Sequence, residues 1–331
     1  MRLSVTDRCN LSCTYCAGGP REFIPHPDIL RYEECTSLIS LARSLGVSKV
    51  RLTGGEPFVR KGFTDFVVRT LTDFPGLDLR ITTNATLLTP NIDTLARAGL
   101  GRVNISLDTL DRAKYQRITG CDLYAEVRRA IDACLAAGIK VKVNCVAMRG
   151  VNQEELPGFV NLARQLPIDL RFIEFMPVGG ANGWDQTTVW SAEEIIAEAG
   201  KLVGLIPVGR ENQLGKTGEA EANRGPARMF EIEGGLGRLG VISPLSCHFC
   251  ATCNRLRLTS DGRLRTCLFS DKTYNLRPLL RHPKLGPDAV RRVIEAAIRT
   301  KPEGYKLLRE RMKNRIQGGS VCATRMHSIG G

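Results

Sequence analysis

The chain has 331 residues, of which 43% are hydrophobic and 24% charged, a globular composition that excludes a disordered protein. Its 47 Lys and Arg residues outnumber 34 Asp and Glu residues, and the net charge of +13 suits an anionic partner such as a nucleotide, a nucleic acid or an acidic membrane. No apolar run approaches the roughly 18–20 residues of a membrane span, and the first residues lack a secretory signal. We therefore expect a cytoplasmic protein, in which 12 cysteines indicate metal binding rather than disulfides.

Strand-like and helix-like segments alternate through the first half of the chain. Apolar residues at helical spacing form three stripes, which begin at Cys35, Phe63 and Val127. The strand candidates between them are residues 2–6, 47–53, 77–84, 102–108, 140–147 and 170–176. Repeated strand–helix units predict a parallel sheet with right-handed crossovers, either doubly wound or a barrel.

Polar residues at alternate strand positions choose between these two folds. Asn104, Ser106 and Asp108 alternate with apolar residues, and the pattern recurs along the other strands. One face of the sheet can therefore pack on helices while the other is polar, and a polar face inside a barrel needs a ligand. We expect an α/β fold, an incomplete (β/α)6 TIM-type barrel over residues 1–180, with polar groups near the C-terminal ends of its strands. A sheet with one solvated face is the alternative.

The second half is less regular. Ser191 and Glu194 form a capping box that predicts a helix over 191–199, and 227–232 and 238–242 are strand candidates. A hairpin is expected over 255–268 with its turn at Asp261-Gly262, followed by helices over 287–299 and 304–314. Residues 216–225 are predicted to be a loop and 316–331 a Gly-rich tail.

Three cysteines, Cys9, Cys13 and Cys16, follow the first strand candidate. Three thiolates can hold three irons of a [4Fe–4S] cluster and leave the fourth iron open, to take the amino and carboxylate groups of S-adenosylmethionine. A structural zinc site normally has four ligands, and His26 is the one further Cys or His nearby. Gly54-Gly55-Glu56-Pro57 follows the second strand. With this motif beside the cysteines, the sequence resembles the radical S-adenosylmethionine superfamily.

A second group of cysteines, Cys250, Cys253 and Cys267, brackets the predicted hairpin, and four arginines lie between them. Arg255 and Arg257 are expected to share one strand face and could neutralise a phosphate chain. Either a second iron–sulfur cluster with an open iron or a zinc ribbon would fit. Cys247 could supply a fourth ligand and close the site, but we expect it to be a free thiol.

The whole chain resembles the MoaA family of GTP 3′,8-cyclases, radical S-adenosylmethionine lyases of molybdenum cofactor biosynthesis. The segments that carry the resemblance are RLSVTDRCNLSCTYC, VRLTGGEPFVR, ITTNATLL, RVNISLDTL, VKVNCVAMRGVN, RFIEFMPVG, FCATCNRLRLTSDGRLRTCLF and the terminal Gly330-Gly331. It implies a radical S-adenosylmethionine barrel over 1–180 and a C-terminal region over 181–331 with a second iron–sulfur site. It also implies that a 5′-deoxyadenosyl radical takes hydrogen from ribose C3′ of GTP, after which C3′ adds to guanine C8.

The resemblance assigns roles residue by residue. The first cluster would be held by Cys9, Cys13 and Cys16, and the second by Cys250, Cys253 and Cys267. Contacts to S-adenosylmethionine are implied for Tyr15, Gly55, Ser106 and Met176. Contacts to GTP are implied for Arg2, Arg51, Thr82, Lys142, Arg255, Leu256 and Arg257. The catalytic residues would be Arg2, Arg255, Arg257, Gly330 and Gly331, the last two on a tail that reaches the active site.

Further expectations concern partners. The family implies two [4Fe–4S] clusters, S-adenosylmethionine, GTP, an electron donor of the flavodoxin or ferredoxin type, and a downstream cyclic pyranopterin monophosphate synthase. A homodimer is possible, and we expect binding neither to nucleic acid nor to a membrane. One alternative is another radical S-adenosylmethionine enzyme with an auxiliary cluster, such as a peptide modifier. The other is a zinc-containing nucleic-acid-binding protein, which the charge of +13 motivates.

Overall fold

A computed structural model describes residues 1–17, 22–179, 183–208, 225–250, 253–313, 322, 324 and 326–329. Within them, twelve strands form one sheet in the order β12-β11-β10-β1-β2-β3-β4-β5-β6-β9-β8-β7. In chain order the strands are β1 Arg2–Ser4, β2 Lys49–Thr53, β3 Asp78–Thr83, β4 Arg102–Ser106, β5 Lys140–Ala147, β6 Asp169–Glu174, β7 Leu205–Pro207, β8 Arg228–Ile232, β9 Arg238–Ile242, β10 Arg257–Leu258, β11 Arg263–Arg265 and β12 Tyr274–Asn275.

Helices connect and flank these strands. They are α1 Thr14–Ala17, α2 Tyr32–Ser44, α3 Phe63–Asp73, α4 Ile92–Arg97, α5 Arg112–Thr119, α6 Tyr124–Ala136, α7 Leu156–Gln165, α8 Ala192–Gly200, α9 Arg277–Arg281, α10 Pro287–Arg299 and α11 Gly304–Lys313. Short 3-10 turns occur at His26–Asp28, Pro57–Val59, Thr89–Asn91, Gln153–Glu155 and Met326–Ser328. Within the described residues, no helix is long and apolar enough to cross a membrane.

The six parallel strands predicted for the first half are confirmed. β1 to β6 pair consecutively and in parallel, with helices between them, as repeated strand–helix units require. β5 has the predicted bounds, and the other strands lie within a residue or two of theirs. β9 adds in parallel to β6, and β10 adds in parallel to β1. The C-terminal half of the chain therefore extends both edges of the sheet that the first half builds.

Side chains alternate between the two faces of the parallel strands. In β5 the residues Val141 and Val143 are buried, whereas Lys142 and Asn144 between them are half-buried. The buried residues join one hydrophobic core with the predicted helical stripes, which include Cys35, Ile39, Phe63, Phe66, Val127 and Ile131. The polar face is left to line the inside of the fold.

The sheet curls strongly, as an incomplete barrel requires. Arg51 on β2 and Arg171 on β6 are four strands apart, which would separate them by about 19 Å in a flat sheet. Besides burial, the charge of Arg171 is the largest cause that lowers the pKa of Arg51 to about 9. Arg171 also acts on Arg2 of β1, five strands away. The polar side chains of β1, β2 and β6 therefore face one another across a shared interior.

The C-terminal predictions are largely confirmed. Ser191 caps α8, with Glu194 completing the capping box, and Gly262 turns the β10–β11 hairpin with a φ of 81°. The residues 216–224 of the predicted loop lie outside the described residues. Two residues of the predicted tail over 316–331, Cys322 and Ile329, are fully buried. They pack with Val178, Phe269 and Leu308 in a second, small hydrophobic cluster.

Candidate active site

The first group of thiols lies in the loop after β1 and in α1, at the C-terminal edge of the sheet. Cys9, Cys13 and Cys16 are each half-buried. The backbone N–H of Leu11 donates to Sγ of Cys9 at 3.4 Å, and the N–H of Cys16 donates to the carbonyl of Cys13 at 3.0 Å. Burial, followed by the charges of Asp108, Cys16 and Cys9, raises the pKa of Cys13 well above its usual value. The structure thus brings together the three cysteines that the sequence singled out.

Gly54 and Gly55 let the end of β2 press directly against this cysteine loop. A Cβ on Gly55 would lie 2.3 Å from the carbonyl oxygen of Arg8, and one on Gly54 would lie 2.6 Å from that of Thr6. The N–H of Gly55 donates to Thr6 O and the N–H of Glu56 to Arg8 O, both at 2.8 Å. These positions require glycine because backbone meets backbone there, and the contact fixes the loop that carries Cys9.

Glu56 also stabilises the C-terminal edge of the sheet. Its carboxylate accepts hydrogen bonds from the N–H of Phe58 at 3.1 Å, from Thr83 Oγ1 at 2.8 Å and from the N–H of Asn84 at 2.7 Å. Full burial raises the pKa of Glu56 to about 7, although these three donors oppose the shift. Asn84 in turn lies with its Nδ2 3.8 Å from Cys9 Sγ. The Gly-Gly-Glu-Pro segment therefore ties the ends of β1, β2 and β3 together around the thiols.

Among the predicted contacts to S-adenosylmethionine, Tyr15 is held by a hydrogen bond and by a ring contact. Its hydroxyl donates to Oδ2 of the buried Asp108 at 2.6 Å, and its ring packs edge-on against Phe175. The N–H of Val146 also donates to Asp108, at 2.8 Å, yet burial raises the pKa of Asp108 to about 6. Sequence patterning marked Asp108 as one polar strand residue among several and did not reveal this contact.

The other predicted contacts to S-adenosylmethionine lie along the same edge. Ser106 is the last residue of β4 and is half-buried. Met176 follows β6 and packs against the small hydrophobic cluster of Val178, Phe269, Leu308, Cys322 and Ile329. Gly55 meets the backbone of Arg8, as described above. Ser106, Gly55 and Met176 therefore all lie near strand ends that surround the first thiol group.

Positive charge is concentrated at the neighbouring ends of β10, β1 and β2. Arg2 is in register with Arg257 on one side and Arg51 on the other, and its N–H donates to the carbonyl of Leu256 at 2.8 Å. Burial, and then Arg257, Arg51, Arg255 and Arg171, lower the pKa of Arg2. Burial and neighbouring arginines likewise lower the pKa of Arg257 to about 9. Among the described residues, no carboxylate is within ion-pair distance of Arg51. So much buried charge of one sign calls for an anion.

Arg255 takes a position that the sequence did not predict. β10 begins at Arg257, so Arg255 precedes the strand, and the expectation that both share one strand face is wrong. Its guanidinium carbon lies 4.4 Å from the centroid of the Phe249 ring, and its Nε lies 3.5 Å from Cys253 Sγ. Arg255 nevertheless contributes to the lowered pKa of Arg2, so it borders both the arginine group and the second group of thiols.

Arg171 is the fifth member of this group of arginines, and it was not among the residues predicted from the sequence. It is 6% exposed on β6, donates to Asn104 Oδ1 at 2.8 Å, and its Nε has no partner among the described residues. Arg171 alternates with the apolar residues Leu170 and Phe172, and this pattern could have predicted that it lies on the polar face of β6. Thr82 on β3 has a buried Oγ1 that is likewise without a partner within the described part of the chain. Both orphaned groups are consistent with a polar ligand inside the barrel.

Lys142 faces the same interior but already has a counterion. Its Nζ lies 2.5 Å from Oδ2 of Asp169, which also binds Arg238 at 2.6 Å. Burial lowers the pKa of Lys142 to about 8, although Asp169 opposes the shift. The protein therefore already supplies a counterion for Lys142, a residue for which the family resemblance implies a contact to GTP.

The second group of thiols closes around the hairpin as predicted. Cys250 and Cys253 precede β10, and Cys267 follows β11. A Cβ on Gly304, the first residue of α11, would lie 2.6 Å from Cys267 Sγ and 3.8 Å from Cys250 Sγ, so these two sulfurs flank one point. Burial raises the pKa of Cys267, and the charges of Cys250 and Cys253 add to this effect.

Cations surround Cys253. Burial alone would raise its pKa, but Arg255 and Lys301 lower it to about 7. Nζ of Lys301 donates to the carbonyls of Cys253 at 2.6 Å and Arg255 at 2.9 Å, and lies 3.5 Å from Cys253 Sγ. A cysteine coordinates metal as the thiolate, so the cations near Cys253 favour the form of its side chain that can bind iron. Cys247, the alternative fourth ligand, is exposed.

Glu174 holds the segment that leads to Cys250. This buried residue ends β6, and its carboxylate accepts from the N–H groups of Ala192 at 3.0 Å, Leu245 at 2.9 Å and Ser246 at 3.1 Å, and from the Ser246 hydroxyl. One carboxylate therefore fixes the loop after β9 to the end of the barrel. No local sequence pattern predicts this contact, because Leu245 and Ser246 are more than seventy positions from Glu174 along the chain.

The C-terminal residues return to both groups of thiols. Arg265, two residues before Cys267, donates to Thr324 Oγ1 at 2.7 Å and to Cys322 Sγ at 2.9 Å. The turn Met326–Ser328 lies against α1, the helix that carries Tyr15 and Cys16. Gly330 and Gly331 lie outside the described residues.

The donor sets fit iron–sulfur clusters better than single ions. Each group offers three thiols, and among the described residues no three Cys, His, Asp or Glu side chains converge closely enough for one metal ion. Thiolates are the ligands that iron–sulfur clusters use, and a four-iron cluster spans more space than one ion. The buried Gly54-Gly55 cradle and the cations at Cys253 are consistent with clusters at these two places.

Comparison with known proteins agrees with this geometry. The family models for the radical SAM superfamily and for Molybdenum Cofactor Synthesis C match residues 3–163 and 168–307. The chain is 40% identical over 326 residues to a GTP 3′,8-cyclase of Alkaliphilus oremlandii, covering 97% of this chain and 95% of that protein. It is 42% identical over 309 residues to one of Thermodesulfovibrio yellowstonii, covering 92% of each. The chain belongs to the GTP 3′,8-cyclase family.

Solved structures show the same fold at low identity. Streptococcus suis SuiB superimposes with a TM-score of 0.58 at 16% identity, covering 97% of this chain and 76% of SuiB. SuiB bound to S-adenosylmethionine gives 0.57 at 15% identity, covering 87% of this chain and 66% of SuiB. The fold is therefore a radical S-adenosylmethionine TIM-type α/β fold. Membership of that superfamily implies a [4Fe–4S] cluster and S-adenosylmethionine.

Proposed function

We propose that this enzyme converts GTP to (8S)-3′,8-cyclo-7,8-dihydroguanosine 5′-triphosphate, the first step of molybdenum cofactor biosynthesis. The observation that carries the proposal is a group of five neighbouring arginines, of which Arg255 lies beside the second set of thiols: Arg2, Arg51, Arg171, Arg255 and Arg257. A triphosphate would neutralise this buried positive charge through forked, charge-assisted hydrogen bonds. Neither a peptide nor a nucleic acid strand would explain such a compact internal cluster as simply.

The first site would hold a [4Fe–4S] cluster on Cys9, Cys13 and Cys16. When bound, the cluster and S-adenosylmethionine supply the radical that removes hydrogen from ribose C3′, before C3′ joins guanine C8. Tyr15, Gly55, Ser106 and Met176 would contact S-adenosylmethionine from α1 and from the ends of β2, β4 and β6. Asp108 would fix the Tyr15 ring through their 2.6 Å hydrogen bond.

GTP would lie across the polar interior. Arg2, Arg51 and Arg257, which are in register on adjacent strands, would bind the phosphates, with Arg255 and the backbone of Leu256 beside them. Thr82 has a free buried hydroxyl to offer, and Lys142 would act together with Asp169. Arg171 joins this set on the strength of its orphaned Nε. Arg2, Arg255 and Arg257 would also contribute to catalysis, because they border the place where the nucleotide reacts.

A second [4Fe–4S] cluster on Cys250, Cys253 and Cys267 would hold the guanine through an open iron. We further propose the division into a barrel over 1–180 and a C-terminal region over 181–331 that carries this cluster. Gly330 and Gly331 would reach the active site, since Ile329 is buried and two residues extend about 7 Å at most.

The remaining partners follow from the reaction. A low-potential electron donor of the flavodoxin or ferredoxin type would reduce the first cluster, and a cyclic pyranopterin monophosphate synthase would consume the product. Both proteins and the substrate GTP belong in the cytoplasm. A homodimer is part of the proposal, whereas nucleic-acid and membrane binding are not.

Anaerobic reconstitution followed by product analysis tests the proposal. We expect about eight irons per chain, from two four-iron clusters. We also expect that addition of GTP yields both 5′-deoxyadenosine and the cyclised nucleotide. Zinc without labile sulfide would contradict the proposal and favour a nucleic-acid-binding protein. Cleavage of S-adenosylmethionine that responds to a peptide and is indifferent to GTP would favour a peptide modifier.

A further inference from the structure

A buried phenol that the proposed reaction does not use borders the first group of thiols. Tyr115 on α5 is 2% exposed and packs edge-on against Tyr124, with 5.9 Å between the ring centroids. Its Oη has no hydrogen-bond partner among the described residues. A buried hydroxyl without a partner is destabilising, so this arrangement points to an acceptor that the polypeptide does not itself provide.

The backbone places α5 beside the cysteine loop. The N–H of Ser12, between Cys9 and Cys13, donates to the carbonyl of Thr119 at 2.7 Å. The last turn of α5 therefore lies against that loop, and α1 also packs on α5. Because Tyr115 precedes Thr119 by four residues, it lies one turn earlier on the same helix face.

The groups near the phenol do not accept its proton. Tyr115 Oη makes no hydrogen bond to Asp108, whose carboxylate accepts from Tyr15 and from the N–H of Val146. Cys13, Asp108, Cys121 and Cys9 are the charged groups that act on Tyr115. A phenol is protonated at neutral pH, so Tyr115 beside the cysteine loop is a hydrogen-bond donor for which a sulfur atom can serve as acceptor.

We propose that Tyr115 donates a hydrogen bond to a sulfur atom of the cluster held by Cys9, Cys13 and Cys16, and so raises that cluster's reduction potential. The inference rests on the proposed cluster site. Reduction adds one electron, supplied by the external electron-transfer protein, while the proton stays on Oη. A donor to sulfur stabilises the reduced, more negative cluster more than the oxidised one.

Replacement of one hydroxyl tests this directly. In the reconstituted full-length protein, Tyr115→Phe should shift the midpoint potential of the S-adenosylmethionine-responsive cluster to a more negative value, with the iron content unchanged. The potential is read from an EPR-monitored redox titration. Tyr124→Phe is the matched control, because it removes the hydroxyl of the packed partner ring, and it should leave the potential unchanged. A potential in Tyr115→Phe equal to that of the parent protein would overturn the proposal.

Two further measurements keep the test decisive should Tyr115→Phe lose its cluster. Replacement of Tyr115 by 3-fluorotyrosine, a stronger donor, should raise the potential, and an unchanged value contradicts the proposal. In the parent protein in D2O, an exchangeable deuteron coupled to the reduced cluster should disappear when Tyr115 alone is replaced. Absence of iron from the Cys9, Cys13 and Cys16 site in the parent protein would instead refute the proposed cluster site.

Discussion

The two groups of thiols share a composition but not an electrostatic environment. At the first, the charged side chain that acts most on Cys13 is the carboxylate Asp108, which opposes further negative charge. At the second, Arg255 and Lys301 favour the thiolate of Cys253. An anionic neighbour disfavours reduction of a cluster, and cationic neighbours attract an anionic ligand. This difference supports the proposal that the first group delivers the electron and the second binds the nucleotide.

Serine substitution in each group of thiols should have the largest effects on activity and should distinguish the roles of the two groups. Cys13→Ser should abolish cleavage of S-adenosylmethionine and leave about four irons, which belong to the second cluster. Cys267→Ser should also leave about four irons but retain cleavage, and lose cyclisation of GTP. Iron analysis and product chromatography measure both. Full cyclase activity in Cys267→Ser would remove the second-cluster assignment.

The next effect concerns the support of the first group alone. Gly55→Ala would drive a methyl group into the carbonyl of Arg8, at 2.3 Å, and so displace the cysteine loop. We expect iron content to fall towards the roughly four irons of the second cluster. Gly101→Ala is the control, because a Cβ there meets nothing within 4 Å. If Gly55→Ala bound as much iron as Gly101→Ala, the contact would not hold the loop.

A smaller effect is expected in the arginine group. Arg51→Met removes one charged donor from the proposed phosphate site, at a cost of about 1.5–3 kcal/mol, or about a 10- to 150-fold higher KM for GTP. Arg80→Met is the control, since Arg80 is in register with Arg51 but bound to Asp78 at 2.6 Å. It should change KM less than about threefold. Equal effects of the two substitutions would contradict a phosphate site centred on Arg51.

The smallest effect expected is a shift in the midpoint potential of the first cluster alone, caused by loss of the charge of Asp108. Asp108→Asn keeps a side chain that can accept from Tyr15 but removes the charge nearest Cys13, so the midpoint potential of the first cluster should become less negative. The second cluster should keep its potential. Redox titration with EPR detection gives both values. Asp111→Asn, at the N-terminus of α5, is the control, and a shift of the second cluster in Asp108→Asn would show that the charge does not act locally.

Local sequence patterns predicted most of the framework. Alternation in β5 and the Ser191–Glu194 capping box are properties of neighbouring residues, and both proved correct. A local pattern did not predict the backbone at Ala85, which takes a φ of 64°, in the region that glycine favours. The spacing of the cysteines, together with the family resemblance, predicted which thiols the structure groups.

What the sequence did not reveal depends on distant contacts. Glu174 fixes the loop before Cys250 through residues about seventy positions away, and Asp108 meets Tyr15 across 93 positions. The burial of Cys322 depends on Arg265 and Val178, not on the Gly-rich stretch around it. Arg171 looked like one more strand residue until the curl of the sheet placed it near Arg51. Such contacts arise only once the barrel is closed.

In the proposed enzyme, two thiol-held clusters face each other across one nucleotide site. Diffraction at the iron absorption edge, from crystals of reconstituted protein soaked with GTP, would locate both clusters. We expect two iron peaks, one at Cys9, Cys13 and Cys16 and one at Cys250, Cys253 and Cys267. We also expect the triphosphate on Arg2, Arg51 and Arg257. A single iron peak, zinc at the second group, or GTP bound away from these arginines would contradict the proposal.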